Sequence, residues 1–270
     1  MKTRALTALL LSAATLAIAE EKTAAPEVLP TPEDQRIALV ELYTSQGCSS
    51  CPSAEPILGG LERPEDVKTG KSRVVRLAFH VDYWDYLGWK DPFASGVFSK
   101  RQKETTARIK TQTYTPQILV DGKDAAGDAA RAVAKSLEQT PLVRIHLTAE
   151  WDKKKPGVLR CRAEARPQAG TKWNRKALQL RMVLFENGLS TKVPAGENAG
   201  KTLEENFVVR LLPAPTDWKA DQASVSQDCG VDTFGWKEAR CGLAAFVQDP
   251  ETLEVLQAAQ IPLPAYDDKK

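Results

Sequence analysis

The hydrophobic pattern between residues 37 and 140 predicts strands that alternate with helices. Its apolar runs are short and nearly continuous, which is typical of strands buried on both faces of a parallel sheet. The segments between these runs are predicted to be helical, and the first helix ends near Gly59-Gly60. We expect strands at 37–43, 73–79 and 117–122, and helices at 48–61, 94–110 and 124–138.

After Thr140-Pro141 the pattern changes to strands separated by turns. Strands are expected at 142–151, 158–165, 177–185, 203–212 and 243–247. This succession indicates an antiparallel β-sandwich of about 100 residues. We therefore place a domain boundary near Pro141, between an α/β domain at 37–140 and a β-rich C-terminal domain at 141–264.

Both ends of the chain are expected to lie outside the folded part. Residues 1–19 have the layout of a secretory signal peptide, with a positive start, an apolar run too short to span a membrane and an A-x-A site that predicts cleavage after Ala19. An uncleaved anchor or a buried helix is the alternative. Residues 20–36 predict a flexible leader and residues 265–270 a charged tail. The expected location is periplasmic or secreted, without stable membrane insertion after cleavage.

The charge balance gives no sign of a polyanionic partner. The chain has 37 Lys and Arg against 35 Asp and Glu, and cleavage removes Lys2 and Arg4, which brings the two signs into balance. Neither nucleic acid nor an anionic membrane surface is therefore an expected partner.

The five cysteines suggest three different roles. Cys48 and Cys51 are too close for an ordinary structural bridge and indicate a dithiol motif. Cys229 and Cys241 flank a short polar loop, and an oxidising compartment would favour a structural disulfide between them. Cys161 shares a period-two face with apolar residues, which favours a buried, inert thiol.

The C-x-x-C pair carries the chemistry. The same spacing also builds zinc sites, but the sequence offers neither a second C-x-x-C nor a His pair at ligand spacing, so we expect no bound metal and no cofactor. The pair follows a predicted strand and opens a predicted helix, where unpaired backbone N–H groups would stabilise a thiolate on Cys48. Cys51, one turn later, could then resolve a mixed disulfide.

Several segments resemble a known family. Cys48-Ser-Ser-Cys51 followed by Pro56-Ile57-Leu58 resembles the run that opens the active-site helix of the thioredoxin superfamily. The segments at 41–52, 80–92, 101–102, 114–117 and 196–203 more narrowly resemble exported bacterial thioredoxin-like proteins of unknown function. The resemblance implies an α/β thioredoxin-like domain, followed here by a mainly antiparallel β domain, and it leaves the substrate open.

The resemblance also implies roles for three residues. Pro116 corresponds to a cis-proline, preceded by Thr115, whose backbone would pair with a bound peptide; an ordinary trans proline is the alternative. Glu41 corresponds to a buried acid that could relay a proton to or from Cys51, unless it points to water at a strand edge.

His80 follows the second predicted strand, which ends at the same sheet edge as the first. It could tune the thiol, take part in substrate binding or help to bind a metal, or it could simply bond to the adjacent loop.

An aromatic segment follows His80 and includes Trp84. Such residues usually pack a long connection down, but Trp84 could also line a substrate platform.

Three functions of different classes fit these residues. The first is thiol–disulfide exchange with protein or small-molecule thiols and disulfides. The second is Cu(I) binding or delivery by Cys48, Cys51 and His80, although thioredoxin-like copper carriers space their cysteines one residue wider. The third is a non-catalytic exported binding protein in which the bridge only holds the helix start.

Overall fold

The computed structural model describes residues 32, 34–62, 72–125, 127–171, 175, 177–219, 221–233 and 235–265. The predicted signal peptide, most of the predicted leader and nearly all of the charged tail lie outside the described residues. Among the helices that are described, none is both long and apolar enough to cross a membrane.

The described residues are mostly β-structure, with three short α-helices. In chain order the elements are β1 (Ala38–Thr44), α1 (Ala54–Gly59), β2 (Val74–His80), α2 (Gly96–Ile109), β3 (Gln117–Val120), β4 (Lys123–Asp124), α3 (Ala129–Leu137), β5 (Val143–Trp151), β6 (Val158–Pro167), β7 (Ala177–Glu186), β8 (Leu189–Lys192), β9 (Thr202–Glu205), β10 (Val208–Leu211), β11 (Thr216–Lys219), β12 (Val225–Asp232), β13 (Cys241–Gln248) and β14 (Val255–Pro262).

Most of the predicted elements are confirmed, with shifts at their ends. The helix expected at 48–61 is the exception, because only a 3₁₀ turn at Cys51–Ser53 and the six-residue α1 form there. The run at 203–212 is divided into β9 and β10, and Phe207 between them has a positive φ of 59° that interrupts the strand. The strands β4, β8, β11, β12 and β14 were not predicted.

One large mixed sheet runs through both halves of the chain. Its order is β14-β13-β7-β10-β2-β1-β3-β4, and β11 pairs with β7. β2 lies parallel to β1 on one side and to β10 on the other, whereas the pairs that join β7, β10, β13 and β14 are antiparallel. Strands from beyond residue 141 therefore continue the sheet that β1 begins.

The predicted fold class, a thioredoxin-like α/β domain followed by a separate β-sandwich-like domain, is wrong. The reason lies in β7 and β13, which are buried on both faces. Val183 and Phe246 face the core that β1 and β2 share, while Leu184 and Leu243 face a second core. Strands buried on both faces serve two layers at once, and the two halves share one sheet because β10 pairs with β2.

The second core lies beneath a smaller, three-stranded antiparallel sheet with the order β12-β6-β5. β5 contacts β13 and β14, and β6 contacts β7, so this sheet packs on the C-terminal part of the large sheet. The hairpin β8–β9 forms a third, two-stranded sheet. This hairpin matters for the site described next.

Candidate functional site

The ends of three neighbouring strands converge at one edge of the large sheet. Thr44, the last residue of β1, is aligned with His80 at the end of β2, and Tyr43 is aligned with Gln117 at the start of β3. The C-x-x-C loop follows β1, and Thr115-Pro116 directly precedes β3. The topology thus brings together most of the site residues that the sequence predicted.

Cys48 lies in a turn rather than at a helix N-terminus. Its N–H donates to Ser45 O at 3.2 Å, and the Cys51 N–H donates to Cys48 O at 3.2 Å. The first helical turn begins only at Cys51. The backbone N–H of Ser50, at the start of this turn, contributes only a minor part of the lowering of the Cys48 pKa, so another source is needed.

That source is the second thiol. The pKa of Cys48 is lowered to about 5, most strongly by a hydrogen bond from Cys51 and also by contacts with Ser50 and Thr115, although burial raises it. The Ser50 hydroxyl lies 3.2 Å from Cys48 Sγ. The same pairing with Cys48, together with burial, raises the pKa of Cys51. The two thiols thus differ strongly in acidity, with the charge on Cys48.

Thr115 and Pro116 lie against this thiol, as the resemblance implied. The Thr115-Pro116 peptide bond is cis, and Cys48 Sγ lies 3.9 Å from Thr115 O. Trp84 donates from Nε1 to Thr115 Oγ1 at 2.7 Å, so the half-buried indole supports this segment. A Cβ added to Gly47 would lie 2.9 Å from Trp84 Cβ, which explains why the loop needs glycine beside the indole.

His80 lies beneath the dithiol loop and is only 1% exposed. Its Nδ1 is 2.7 Å from Asp91 Oδ2, and its Nε2 is 3.9 Å from Glu205 Oε1. Burial opposes a charge on the ring, but the Asp91 carboxylate outweighs it and raises the pKa of His80 to about 9. The imidazolium is therefore a buried cation that organises the loop and offers almost no surface to a substrate.

Glu41 contacts Arg101 and Tyr43. Its Oε1 accepts from Arg101 Nε at 2.8 Å and lies 2.7 Å from a second guanidinium nitrogen, and Tyr43 donates to it at 3.4 Å. All three groups are buried. The Glu41 carboxylate, which was expected to relay a proton to or from Cys51, thus forms a buried ion pair with Arg101 of α2.

Two other carboxyl groups lie closer to the chemistry. Glu55 follows Cys51 by four residues, and both line a pocket of about 430 Å³ together with Glu205. Burial raises the pKa of Glu55 to about 7 and that of Glu205 to about 7. Glu55 Oε1 is shielded from solvent and has no hydrogen-bond partner within the described part of the chain. The pocket therefore holds two acids that titrate near neutral pH behind the second thiol.

The loop of the β8–β9 hairpin clamps the dithiol loop. Asn198 is fully buried and donates from Nδ2 to Gln46 O at 2.9 Å and to Cys48 O at 3.0 Å. Glu197 accepts from the Ser49 N–H at 2.8 Å. Sequence reasoning missed Glu55, Glu197, Asn198 and Glu205 as site residues; for Glu197 and Asn198 the signal was that residues 196–203 belong to the family-like segments.

The remaining three cysteines lie on strands of the C-terminal half, outside this site. Cys229 on β12 stands directly opposite Cys161 on β6, which is not the partner that the sequence predicted. Cys241 lies on β13 of the large sheet, where its Sγ is 3.4 Å from Lys237 O. All five cysteines are free thiols in this structure, so the disulfide between Cys229 and Cys241 stays a prediction.

Comparison with solved structures shows two similar folds. A crystal structure of a protein from Agrobacterium tumefaciens has a TM-score of 0.59 and 22% identity, and the match covers 87% of this chain and 97% of that one. HBP35 of Porphyromonas gingivalis has a TM-score of 0.65 and 14% identity, with 85% of this chain and 76% of that one covered. At these identities the likeness shows the fold alone.

No curated protein matches the chain. A family model does, and it spans residues 39–248, which include the dithiol loop, the strand ends beside it and the hairpin that clamps it. The chain therefore belongs to the family described as "Protein of unknown function (DUF1223)".

Proposed function

We propose that this protein is a thiol–disulfide oxidoreductase that works through Cys48 and Cys51. The observation that carries the proposal is the asymmetry of the pair, in which one thiol donates to the other and the pKa of Cys48 falls to about 5. Electrons move between sulfur atoms in this chemistry, so it requires no cofactor.

The asymmetry also sets the preferred direction. A Cys48 pKa of about 5 stabilises the reduced form at pH 7, because the thiolate is the main species. A stabilised reduced form makes the disulfide more oxidising. The favoured reaction is therefore the donation of a disulfide to a dithiol substrate.

In this direction a substrate thiolate attacks Cys48 Sγ of the Cys48–Cys51 disulfide, and the S–S bond breaks with the electron pair on Cys51. Cys51 takes up a proton, since its pKa is raised. The second substrate thiolate then attacks the substrate sulfur of the mixed disulfide, and Cys48 leaves as a thiolate. Two substrate thiols become one disulfide, and a second disulfide compound reoxidises the pair by the reverse steps.

Glu55 and Glu205 are suited to handle the proton. Each titrates near pH 7, so each can give a proton to Cys51 in one half-reaction and take it back in the other. Both line the pocket that Cys51 also lines. Glu41 is less suited, because its carboxylate is held by Arg101.

The surroundings of Cys48 bear on the choice of substrate. Cys48 is 2% exposed, and the edge formed by Thr115 and cis-Pro116 lies beside it. A small thiol can reach such a sulfur more readily than a folded protein can. An extended peptide could pair with the Thr115 backbone, as the resemblance implied, if its cysteine is presented at a chain end or in a loop.

The test is a redox titration of the mature protein against glutathione buffers between pH 4 and 8, with quantification of the Cys48–Cys51 disulfide by peptide mass mapping. Above pH 5 only one proton accompanies two electrons, so the potential should change by about −30 mV per pH unit; below pH 5 the slope should approach about −59 mV. A slope of about −59 mV up to pH 8 would contradict the proposed thiolate.

Variants test the individual roles in the oxidation of a reduced model dithiol peptide. Cys48→Ser should abolish turnover, whereas Cys51→Ser should trap mixed disulfides at Cys48. Cys241→Ser, a distant thiol, is the matched control and should leave the rate unchanged. Equal rates for the wild type and both site variants would refute the proposal.

The copper alternative has weaker support in the structure. His80 is engaged by Asp91, and within the described residues no three His, Cys, Asp or Glu side chains are grouped to hold a metal ion. A Cu(I) titration that leaves Cys48 and Cys51 freely alkylatable would exclude this alternative. The third candidate, a non-catalytic binding protein, predicts no exchange activity in the assays above.

A further inference from the structure

Two cysteines outside the proposed site face each other across neighbouring strands. In the ladder between β12 and β6, Cys229 is aligned with Cys161, and the ladder is regular from Val225 to Asp232. Directly opposed residues in an antiparallel pair have Cα atoms about 4.5–5.5 Å apart. Disulfides span Cα separations of about 4.4–6.8 Å, so the backbone requires no movement for a bond to form.

The side chains also point to the same side. Opposed residues of an antiparallel pair lie on one face of the sheet, and both cysteines pack against the second core. The two thiols are hydrogen-bonded to each other, which raises the pKa of Cys161 and lowers that of Cys229. The geometry thus brings two reduced thiols into direct contact.

The two positions differ in access. Cys161 lies on the central strand of the three-stranded sheet and is 2% exposed, whereas β12 is an edge strand and Cys229 is half-buried. A disulfide reagent can therefore reach Cys229 first. Cys161 is then placed to attack Cys229 Sγ from the buried side and form the disulfide.

We propose that Cys161 and Cys229 form a second redox site, a disulfide that fastens the edge strand β12 to β6. The oxidant is a disulfide compound, for which oxidised glutathione is the probe. The Cys229 thiolate attacks one sulfur of the probe, and one glutathione thiolate leaves and takes up a proton. The Cys161 thiol loses its proton and attacks Cys229 Sγ, which releases the second glutathione. Two protein thiols are oxidised, and one disulfide is reduced to two thiols.

The bond would stabilise the second sheet. It would enclose the 67 residues between the two cysteines, which include β7 and the hairpin β8–β9. In the chain-entropy account a closed loop of this length raises the Tm of a 250-residue protein by on the order of 10 °C. An unpaired edge strand is also the part of a sheet most open to pairing with other chains, so fastening β12 would protect it.

The experiment uses the mature protein with Cys48→Ala and Cys51→Ala, so that its outcome does not depend on the proposed exchange activity. This protein is incubated with oxidised glutathione, and peptides are mapped by mass spectrometry without reduction. We expect a peptide pair joined through Cys161 and Cys229, a Tm higher by roughly 10 °C and reversal of both by dithiothreitol.

Matched variants assign the effect. Cys229→Ala and Cys161→Ala should each abolish the rise in Tm, and Cys241→Ala should retain it. Peptide mapping of the protein that retains Cys161 and Cys229 still tests the proposal if one of these variants fails to fold. A Cys229–Cys241 peptide pair, a stable glutathione adduct on Cys229 or an unchanged Tm would overturn the proposal.

Discussion

Replacing Cys51 with alanine should raise the pKa of Cys48. The hydrogen bond from the Cys51 thiol is the largest of the influences that lower this pKa to about 5 from an ordinary value of 9.0. Cys51→Ala removes that donor and leaves the Ser50 hydroxyl, 3.2 Å from Cys48 Sγ, in place. Part of the lowering should therefore remain.

The size of the change follows from the strength of one hydrogen bond to a charged group. Such a bond contributes about 1.5–3 kcal/mol. One pKa unit corresponds to about 1.4 kcal/mol, so the loss amounts to roughly one to two units. We expect the pKa of Cys48 in the variant to lie between about 6 and 7. At pH 5.5 most of the Cys48 thiolate would then be lost.

The assay is the rate of Cys48 alkylation by iodoacetamide as a function of pH, followed by peptide mass mapping so that the other thiols do not interfere. Wild type, Cys51→Ala and Ser50→Ala are compared, and Ser50→Ala should give the smaller shift. A wild-type midpoint near pH 8.5 would refute the reasoning. So would an unchanged midpoint in Cys51→Ala, or a larger shift in Ser50→Ala.

Three further predictions concern the residues around the site. Glu41→Gln leaves Arg101 as a buried, uncompensated charge and should lower the unfolding free energy by about 3–5 kcal/mol, as measured by urea denaturation. Replacing both Glu41 and Arg101 with leucine should restore much of the unfolding free energy. Glu104→Gln, in the exposed ion pair with Lys100 on α2, should change the unfolding free energy by less than about 0.5 kcal/mol. Asn198→Ala removes two buried hydrogen bonds and should lower the unfolding free energy by roughly 2–3 kcal/mol. It should also change the alkylation rate of Cys48. Ser190→Ala, an exposed variant in the same hairpin, is the control and should have neither effect. Burial raises the pKa of Glu205 from 4.5 to about 7, so its contribution to stability is complete below pH 4.5 and is lost as the pH rises through 7. Glu205→Gln should therefore flatten the fall in unfolding free energy between pH 4.5 and 7 by up to roughly 3 kcal/mol, and an unaltered pH profile would contradict the assignment.

The sequence by itself determined the strands that end beside the dithiol. β1, β2 and β3 leave continuous apolar runs because both of their faces are buried, and such runs are visible without knowledge of their partners. The C-x-x-C pair and the proline before β3 were likewise recognisable by order and spacing. The resemblance to thioredoxin-like proteins then implied that Pro116 faces Cys48.

Only the tertiary structure decided how the sheet continues. The apolar runs of β7 and β13 predicted strands, but a run buried on both faces does not reveal which strands lie beside it. Sheet pairing is a contact between distant parts of the chain, and β10 reaches β2 from 130 residues away at the aligned pair Val208 and Ala78. The predicted fold class, a thioredoxin-like domain followed by a separate β domain, failed for this reason.

The same physical limit applies to the site. Asn198 lies 150 residues from Cys48 in the chain, and nothing in its own neighbourhood indicates that it holds the Cys48 carbonyl. The partner of Cys229 was likewise decided by the register of β12 on β6, which a local pattern does not contain. Residue types and their spacing therefore predicted which sulfur chemistry this chain could perform. The acids, amides and ion pairs that tune it became visible only when packing brought distant segments together.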